Sequence, residues 1–342
     1  MTRIVIWGAY PSTLELIRSG SVHIAGFGDD LLWWLKPVLD QLESRGIEIV
    51  WGSDVTDDTP LDDALLWLID FPTPRCKTGS LLLRKIARSR RLLMRLEPPA
   101  IAPKAYGPGI LDQVGGLLRV EGGPNDERVA HVADFWAPAP LPRNVDGSED
   151  MRSGIVAVSS NKAIVGPRGR LYRFREAAYR ALARSECDFR LYGQGWTEWR
   201  SGIDLADAVL RRAGIRLPRD PACFNYLGPL DDKAELVRAN YSLVIENHLG
   251  SRYVSEKPFD SLKLGVMPIY VGGVSFRAIG LGNLVHQVST IDEIVRCGSL
   301  PRPPRRSDVI AGYEAWLESE AGAPFTVDAA AKTVAKVIAA LG

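Results

Sequence analysis

The chain has 342 residues, enough for two domains, and its 46% hydrophobic content excludes the low-hydrophobicity class of disordered proteins. Lys and Arg number 42 against 41 Asp and Glu, so the chain lacks the positive excess typical of nucleic-acid-binding proteins. It shows no signal-peptide layout and no run of about 18 apolar residues. Its cysteines are scattered without a Cys-x-x-Cys pair, which fits a reducing compartment. We therefore expect a folded cytoplasmic protein with no nucleic-acid partner.

In the first half of the chain, short apolar runs rich in β-branched residues flank a helix-like stretch. The predicted strands are Arg3–Trp7, Glu48–Trp51, Leu65–Ile69 and Arg91–Leu96, and the predicted helix is Leu31–Arg45. Such alternation is typical of parallel sheets covered by helices, so the predicted class is α/β.

A proline-rich and then polar stretch, residues 137–151, indicates an exposed linker, and we place the domain boundary there. The first domain is then 1–150 and the second 151–306. The second domain starts a new α/β pattern, with a strand at Gly154–Ser159, a helix at Leu171–Arg184 and a strand at Asp188–Tyr192. Residues 307–342 are expected to pack across both domains as two terminal helices, Asp308–Glu320 and Val327–Leu341.

The segment from Tyr241 to Gly273 carries the clearest chemical signal. It predicts a strand at Tyr241–Glu246, a polar loop, a helix capped by Ser255 and a strand at Met267–Val271. A helix that starts at the carboxyl end of a parallel sheet attracts phosphate. Lys257 falls in the first turn, where the helix dipole disfavours a cation. A bound anion would explain that lysine.

Three stretches of this segment resemble the donor motif of the α-1,3/1,4-fucosyltransferases of glycosyltransferase family 10. The family pattern is Phe-Glu-Asn, Tyr-Val/Ile-Thr-Glu-Lys and, after a helix, Gly-x-Val/Ile-Pro-Val/Ile-Tyr/Val-x-Gly. The corresponding stretches here, with the same Asn-to-Tyr spacing, are Ile245–Asn247, Tyr253–Lys257 and Gly265–Gly272. The resemblance implies two Rossmann-like domains that face a cleft, the architecture called GT-B. It covers the second domain clearly and little of the first.

The resemblance also implies roles for single residues. Lys257 would hold the donor diphosphate and Glu256 the guanosine ribose, while Asn247 and Tyr253 would position sugar and phosphates. The alternative interpretation is that Glu256 and Lys257 are ordinary solvated residues at the end of a helix, as such a pair would be without the surrounding motif.

Two further residues of the motif are assigned to the donor site. Glu246 belongs to the matched tripeptide, and His248 stands where the family usually has Ser, so we expect it to touch the sugar. The chain departs from the family at Ile245, Ser255 and Pro258, and the last of these would tilt the donor lysine.

Upstream, the stretches 158–162 and 191–194 and the helix between them resemble the family's Val-Ser-Asn, helix-borne arginine and Tyr-Gly. Arg175 then matches the arginine that holds the donor phosphate, and Asn161 and Tyr192 join the donor site. A guanidinium can bind phosphate oxygens bidentately. The alternative is a solvent-facing arginine on a helix that carries several others.

An inverting transfer needs a base that takes the proton of the acceptor hydroxyl. Glu97, before Pro98 and Pro99, resembles the Glu of the family's Glu-Ser-Pro segment, and it is our candidate; alternatively, it merely ends a strand. Other candidates are Asp29, Asp30 and, more weakly, Asp134. No Asp-x-Asp occurs and the histidines show no ligand spacing, so we expect neither a metal nor another cofactor.

The resemblance implies an inverting, metal-independent transfer of L-fucose from GDP-β-L-fucose to a hydroxyl of a glycan or glycoconjugate. A different nucleotide sugar and a non-catalytic sugar-nucleotide-binding protein remain alternatives. A nucleotide-dependent oxidoreductase is disfavoured because the segment after Gly8 lacks the repeated glycines of dinucleotide sites. A further hypothesis is that the basic stretch Leu81–Leu96 rests on anionic lipid at the inner face of the membrane; a solvated helix face is the alternative.

Overall fold

The computed structural model of the chain describes residues 2–8, 11–19, 32–70, 77–96, 103–107, 109–120, 127–142, 152–161, 170–198, 206, 209–210, 213–215, 218, 220–230, 232–250 and 252–342. Its strands are β1 (Arg3–Gly8), β2 (Glu48–Trp51), β3 (Ala64–Ile69), β4 (Arg91–Arg95), β5 (Gly116–Arg119), β6 (His131–Asp134), β7 (Ile155–Val158), β8 (Phe189–Tyr192), β9 (Tyr226–Gly228), β10 (Tyr241–Ile245), β11 (Met267–Val271) and β12 (His286–Gln287). Its α-helices are α1 (Pro11–Arg18), α2 (Leu35–Ser44), α3 (Lys77–Lys85), α4 (Arg170–Arg184), α5 (Lys257–Lys263), α6 (Ile291–Arg296), α7 (Arg306–Leu317) and α8 (Val327–Leu341).

The described residues up to 138, together with 324–342, form a first compact unit. Its six strands are all parallel, in the order β2-β1-β3-β4-β5-β6. All six residues of β3 are buried, as expected for an apolar strand inside a sheet that is covered on both faces. The terminal helix α8 belongs to this unit, where Val337 and Leu341 lie close to Gly116 of β5.

The described residues from 139 to 323 form the second compact unit. Its six strands are also parallel, in the order β12-β11-β10-β7-β8-β9. The chain runs from β7 outward through β8 and β9, and then returns to place β10 on the other side of β7. The carboxyl ends of β7 and β10 therefore form the topological switch point, where ligands of open α/β sheets bind. The predicted α/β class with two Rossmann-like domains is confirmed.

Several elements differ from the sequence prediction. The short strands β5, β6, β9 and β12 and the helices α1, α3 and α6 were not predicted, because runs of two to nine residues give a weak periodic signal. The predicted linker is not wholly exposed: residues 138–140 are buried, and the hydroxyl of Tyr313 donates to the carbonyl of Pro140 at 2.8 Å. Residues 143–151 lie outside the described ranges. The domain bounds at 150 and 306 stay predictions, whereas the compact units change at 138/139 and 323/324.

Candidate active site

The residues assigned to the donor site gather around the end of β10. Glu246 and Asn247 directly follow this strand, and Asn161 follows β7, its neighbour in the sheet. Side chains alternate between the two faces of a strand, so Glu246 and Asn247 project to opposite faces. The helix α4 packs on the Asn247 face, and the loop that leads to α5 contacts Glu246. The candidate site is therefore built from both faces of the sheet at its switch point.

Arg175 is held at the end of β10 and is only 2% exposed. Its Nη2 donates to the carbonyl oxygen of Ile245, to that of Glu246 at 3.3 Å and to Oδ1 of Asn247 at 3.1 Å. The interpretation of Arg175 as a solvent-facing arginine is therefore wrong. Its position in α4 explains this, because it shares a buried stripe with Leu171, Ala178, Tyr179 and Leu182.

Tyr172 is a site residue that the sequence interpretation missed. Its hydroxyl donates to Oδ1 of Asn247 at 3.0 Å, and its ring lies 4.7 Å from the guanidinium carbon of Arg175. The two residues are three positions apart in α4 and so lie on the same side of the helix. That spacing is the signal from which Tyr172 could have been predicted once Arg175 was assigned.

Glu246 has no solvent exposure, and it is hydrogen-bonded to the loop that joins β10 to α5, which we call the donor loop. Its backbone N–H donates to the carbonyl of Val271 at 2.9 Å, and its Oε1 accepts the backbone N–H of Ser255 at 2.9 Å. Burial raises the pKa of this carboxyl group, and the charge of Lys257 and the hydrogen bonds from Ser255 oppose that rise. Within the described chain, Oε2 of Glu246 has no hydrogen-bond partner.

The predicted N-cap position of Ser255 is off by one residue, although its Oγ accepts the backbone N–H of Lys257 at 3.4 Å. The helix α5 begins at Lys257, and its N-cap is Glu256, which makes no side-chain cap. Ser255 instead lies one residue outside the helix, where Glu246 binds its backbone N–H. Pro258 lies in the first turn and Gly265 follows the helix with a φ of 72°, both as predicted.

Lys257 lies at the start of α5 with its side chain 28% exposed. Its Nζ lies 3.2 Å from Oε1 of Glu256 and 3.3 Å from Oγ of Ser255. Burial opposes ionisation of Glu256, but the charges of Lys257 and then Lys233 outweigh it and lower its pKa to about 2. Because α5 has only seven residues, the attraction for an anion rests on the charge of Lys257 rather than on the dipole of a long helix.

The charges of Arg175 and Lys257 both act on the hydroxyl group of one buried tyrosine, Tyr179. Tyr179 of α4 is 1% exposed, and its hydroxyl is hydrogen-bonded to Oγ of Ser159 at 3.1 Å. Burial raises the pKa of Tyr179, while the charge of Arg175, the hydrogen bond with Ser159 and the charge of Lys257 act in the opposite direction. Two cations from different elements therefore act on the same small region at the end of the sheet.

The loop after β10 is packed against the end of β11. Tyr253 is 3% exposed, and its ring lies 6.1 Å from that of His248 in an edge-to-face arrangement. Burial lowers the pKa of His248, which favours the neutral imidazole at pH 7. A Cβ atom on Gly273 would lie 2.4 Å from the carbonyl oxygens of both Leu249 and Gly250. Only glycine therefore lets the loop backbone approach β11 this closely.

Asn161 and Tyr192, the two other predicted donor-site residues of this unit, lie at different places around the ends of β7 and β8. The backbone N–H of Asn161 donates to the carbonyl of Gln194 at 2.8 Å, and its Nδ2 donates to that of Gly195 at 3.1 Å, so Asn161 joins the ends of β7 and β8. Tyr192 is paired with Val158 and packs against the apolar cluster around Val156. By strand alternation this is the face opposite Ser159 and α4, so the structure does not bring Tyr192 together with Arg175.

The base candidates of the first unit are only partly described. Glu97, Asp29 and Asp30 lie outside the described residues. Asp134 accepts a hydrogen bond from Nε of Arg119 at 2.8 Å as an ion pair.

Asp70, which was not predicted as a site residue, directly follows β3. It is 2% exposed, has a left-handed φ of 51° and accepts the backbone N–H of Leu96 at 3.3 Å. It thus holds the residue that precedes Glu97. The signal in the sequence was a charged residue directly after a wholly apolar strand.

The basic stretch Leu81–Leu96 does not form one continuous surface, because α3 ends at Lys85 and β4 begins at Arg91. Arg91 donates to the carbonyls of Ile86 at 2.8 Å and Gln113 at 3.0 Å, and Lys85 donates to that of Thr59 at 3.0 Å. Membrane contact through this stretch stays a prediction. None of the helices that the structure describes has the length and apolar character needed to span a bilayer.

The fold has counterparts among solved structures. A crystal structure of an α1,3-fucosyltransferase aligns with a TM-score of 0.50 and 13% identity, over 99% of this chain and 90% of the other. A glycosyltransferase from Rickettsia africae ESF-5 aligns with a TM-score of 0.49 and 11% identity, over 99% and 98% of the two chains. No family model and no curated protein matches the sequence. At such low identity, the alignment with the α1,3-fucosyltransferase shows that the two proteins share a two-domain α/β fold.

Proposed function

We propose that this chain is an inverting, metal-independent glycosyltransferase that moves L-fucose from GDP-β-L-fucose to a hydroxyl group of a glycan or glycoconjugate. The observation that carries the proposal is the placement of two cations, Arg175 and Lys257, at the switch point of the second sheet. This is where open α/β sheets bind nucleotides. The matches to the family 10 donor motif support the choice of a nucleotide sugar, and the fold shared with an α1,3-fucosyltransferase is consistent with it.

The two cations would bind the donor diphosphate. Arg175 is buried, and its guanidinium is fixed by three acceptors, on Ile245, Glu246 and Asn247. Little further side-chain entropy would therefore be lost when it binds a phosphate. Lys257 adds a second positive charge from the loop side of the sheet. Charge that develops on the leaving diphosphate would be stabilised by these preorganised cations in the role that a divalent metal serves in other enzymes.

The nucleoside and sugar would be bound by the remaining residues of the loop. Glu256, whose pKa is lowered to about 2, stays ionised at neutral pH and can accept hydrogen bonds from the ribose hydroxyls. Neutral His248 and Asn247 would contact the hexose. Glu246 and Tyr253 are buried and would support the loop from beneath rather than touch the donor. Asn161 and Tyr192 would shape the β7 and β8 side of the site.

Glu97 would be the catalytic base. It would take the proton from the acceptor hydroxyl while the oxygen attacks the anomeric carbon from the face opposite the diphosphate. The bond from that carbon to the β-phosphate oxygen breaks, and GDP leaves with the electron pair. Asp70 would keep Leu96, and with it the start of the Glu97 segment, in place.

Isothermal titration with GDP-fucose tests the donor site. We expect the intact protein to bind, and Lys257→Ala to bind about 10- to 100-fold more weakly, because a charge-assisted contact is lost. Lys332→Ala is the matched control, since it removes an exposed lysine from α8, and its binding should equal that of the wild type. No binding by the intact protein, or equal binding by Lys257→Ala, would refute the assignment.

Turnover distinguishes a transferase from a sugar-nucleotide-binding protein. We expect release of GDP to accelerate when a suitable acceptor glycan is added, and Glu97→Gln to abolish that acceleration while GDP-fucose still binds. A thermal-shift panel of GDP, UDP and dTDP sugars identifies the donor, because the correct donor raises the unfolding temperature most. Acceleration in Glu97→Gln equal to that of the wild type would contradict its role as base.

A further inference from the structure

We infer that Tyr172 is a positioning residue of the donor site: its hydroxyl and the Arg175 guanidinium orient the Asn247 amide so that Nδ2 donates to the bound nucleotide sugar. The inference rests on the proposed function and assigns a role to a residue outside the family motif.

The orientation of the Asn247 amide follows from its two partners. A guanidinium has donors only, so the atom of Asn247 that faces Arg175 at 3.1 Å must be the oxygen. The same oxygen accepts the hydroxyl of Tyr172 at 3.0 Å. A carbonyl oxygen has two lone pairs, and these two donors use both of them. Nδ2, on the other side of the planar amide, therefore points away from both α4 side chains.

Tyr172 is itself held in place. Its ring lies 4.7 Å from the guanidinium carbon of Arg175, a cation–π distance, and Arg175 is fixed by the carbonyls of Ile245 and Glu246. Tyr172 and Asn247 are both half-buried, so this edge of the network is more exposed than Arg175, of which 2% is exposed. These contacts therefore fix the amide oxygen of Asn247, while Asn247 itself remains partly exposed to solvent.

The chemistry of Nδ2 defines what it binds. Two N–H bonds require oxygen acceptors, and a sugar diphosphate offers them on its phosphates and on its hexose. Donation to phosphate would affect GDP and GDP-fucose alike, while donation to the hexose would affect GDP-fucose only. A comparison of the two ligands therefore locates the contact.

A double-mutant cycle tests the inference. The proteins are the wild type, Tyr172→Phe, Asn247→Ala and the double variant, and the measurement is titration with GDP-fucose and with GDP. We expect Tyr172→Phe to weaken GDP-fucose binding about five- to tenfold, the scale of one hydrogen bond, and the double variant to bind no more weakly than Asn247→Ala. Asn247→Asp keeps the two protein contacts and turns a carboxylate oxygen toward the donor, so it should bind more weakly still.

Tyr241→Phe is the matched control, because it removes a comparable phenol hydrogen bond, to the carbonyl of Pro301 at 2.8 Å, at the opposite end of β10. Its donor affinity should stay at the wild-type value, whatever its effect on unfolding temperature. If the losses of Tyr172→Phe and Asn247→Ala add in the double variant, or if Tyr172→Phe binds like the wild type, the inference is overturned while the proposed function stands. If the wild type binds neither ligand, both are overturned.

Discussion

The phenol of Tyr270 lies beside the buried carboxyl group of Glu246 at the ends of two neighbouring strands. Tyr270 is paired with Val244, and Glu246 follows two residues later on the same face. Burial and then the charge of Glu246 raise the pKa of Tyr270. In the described part of the chain, neither the Tyr270 hydroxyl nor Oε2 of Glu246 has a hydrogen-bond partner. Burial therefore favours the neutral form of this carboxyl group over the charged form.

Glu246→Gln should change how stability depends on pH. The folded-state pKa of Glu246 is raised, so its contribution is complete below the unfolded value of about 4.3 and is lost as pH rises through the folded value. Gln keeps an oxygen for the N–H of Ser255 and does not titrate. Measured by thermal unfolding from pH 4.5 to pH 8, the variant should gain stability relative to the wild type as pH rises.

Glu246→Ala provides the comparison for that experiment. It removes the acceptor of the Ser255 N–H and leaves a cavity, so we expect a loss of about 1–3 kcal/mol even at low pH. Parallel pH profiles of the wild type and Glu246→Gln would contradict the assignment of a raised pKa.

Gly273→Ala should disturb the donor loop while leaving the sheet in place. The added Cβ would lie 2.4 Å from the carbonyl oxygens of Leu249 and Gly250, so the loop has to move. We expect the affinity for GDP-fucose to fall at least about tenfold, the effect of losing one or two polar contacts. Gly312→Ala in α7 is the control: it meets only side-chain atoms of Leu284, at 3.2 Å, and should bind normally. Normal binding by Gly273→Ala would show that the loop position does not matter.

Arg175→Lys tests whether the geometry of the guanidinium matters beyond its charge. A lysine side chain is one bond shorter, so its ammonium does not reach the position from which Nη2 donates to Ile245, Glu246 and Asn247. We therefore expect a stability loss of about 1–3 kcal/mol and weaker donor binding. Arg173→Lys is the matched control, because Arg173 is exposed on the same helix. Calorimetry and titration measure the two effects, and equal behaviour of both variants would contradict this role of Arg175.

Arg91→Ala should lower stability rather than affinity for lipid. Burial and then the charge of Arg88 lower the pKa of Arg91, and its side chain donates to the carbonyls of Ile86 and Gln113. We expect a loss of about 1–3 kcal/mol on thermal unfolding, against less than about 0.5 for the exposed Arg84→Ala. Sedimentation with anionic vesicles at low salt provides the second readout. Lipid binding that is abolished by Arg91→Ala without loss of stability would revive the membrane hypothesis.

Much of the fold followed from local patterns, and the exceptions have physical causes. The runs at Glu48–Trp51 and Met267–Val271 were predicted to the residue, because each is a short run rich in β-branched and aromatic residues bounded by glycine. The two-residue strand β12 and the four-residue β5 could not be predicted, since their identity as strands comes from hydrogen bonds to neighbours that are distant in sequence. The helix start at Lys257 was misplaced for the same reason: a side chain nine residues upstream of Ser255 takes its N–H.

The sequence by itself determined the α/β class and the segment from Tyr241 to Gly273 as the candidate donor site, because strand periodicity and a fixed motif spacing are local properties of the chain. Only the tertiary structure decided which side chains meet there. Arg175 could be separated from the exposed arginines of α4, and Tyr172 found at all, only when β10 was placed against the helix. Hydrogen bonds between residues some 70 positions apart depend on packing, and packing is set by the whole sheet rather than by the segment.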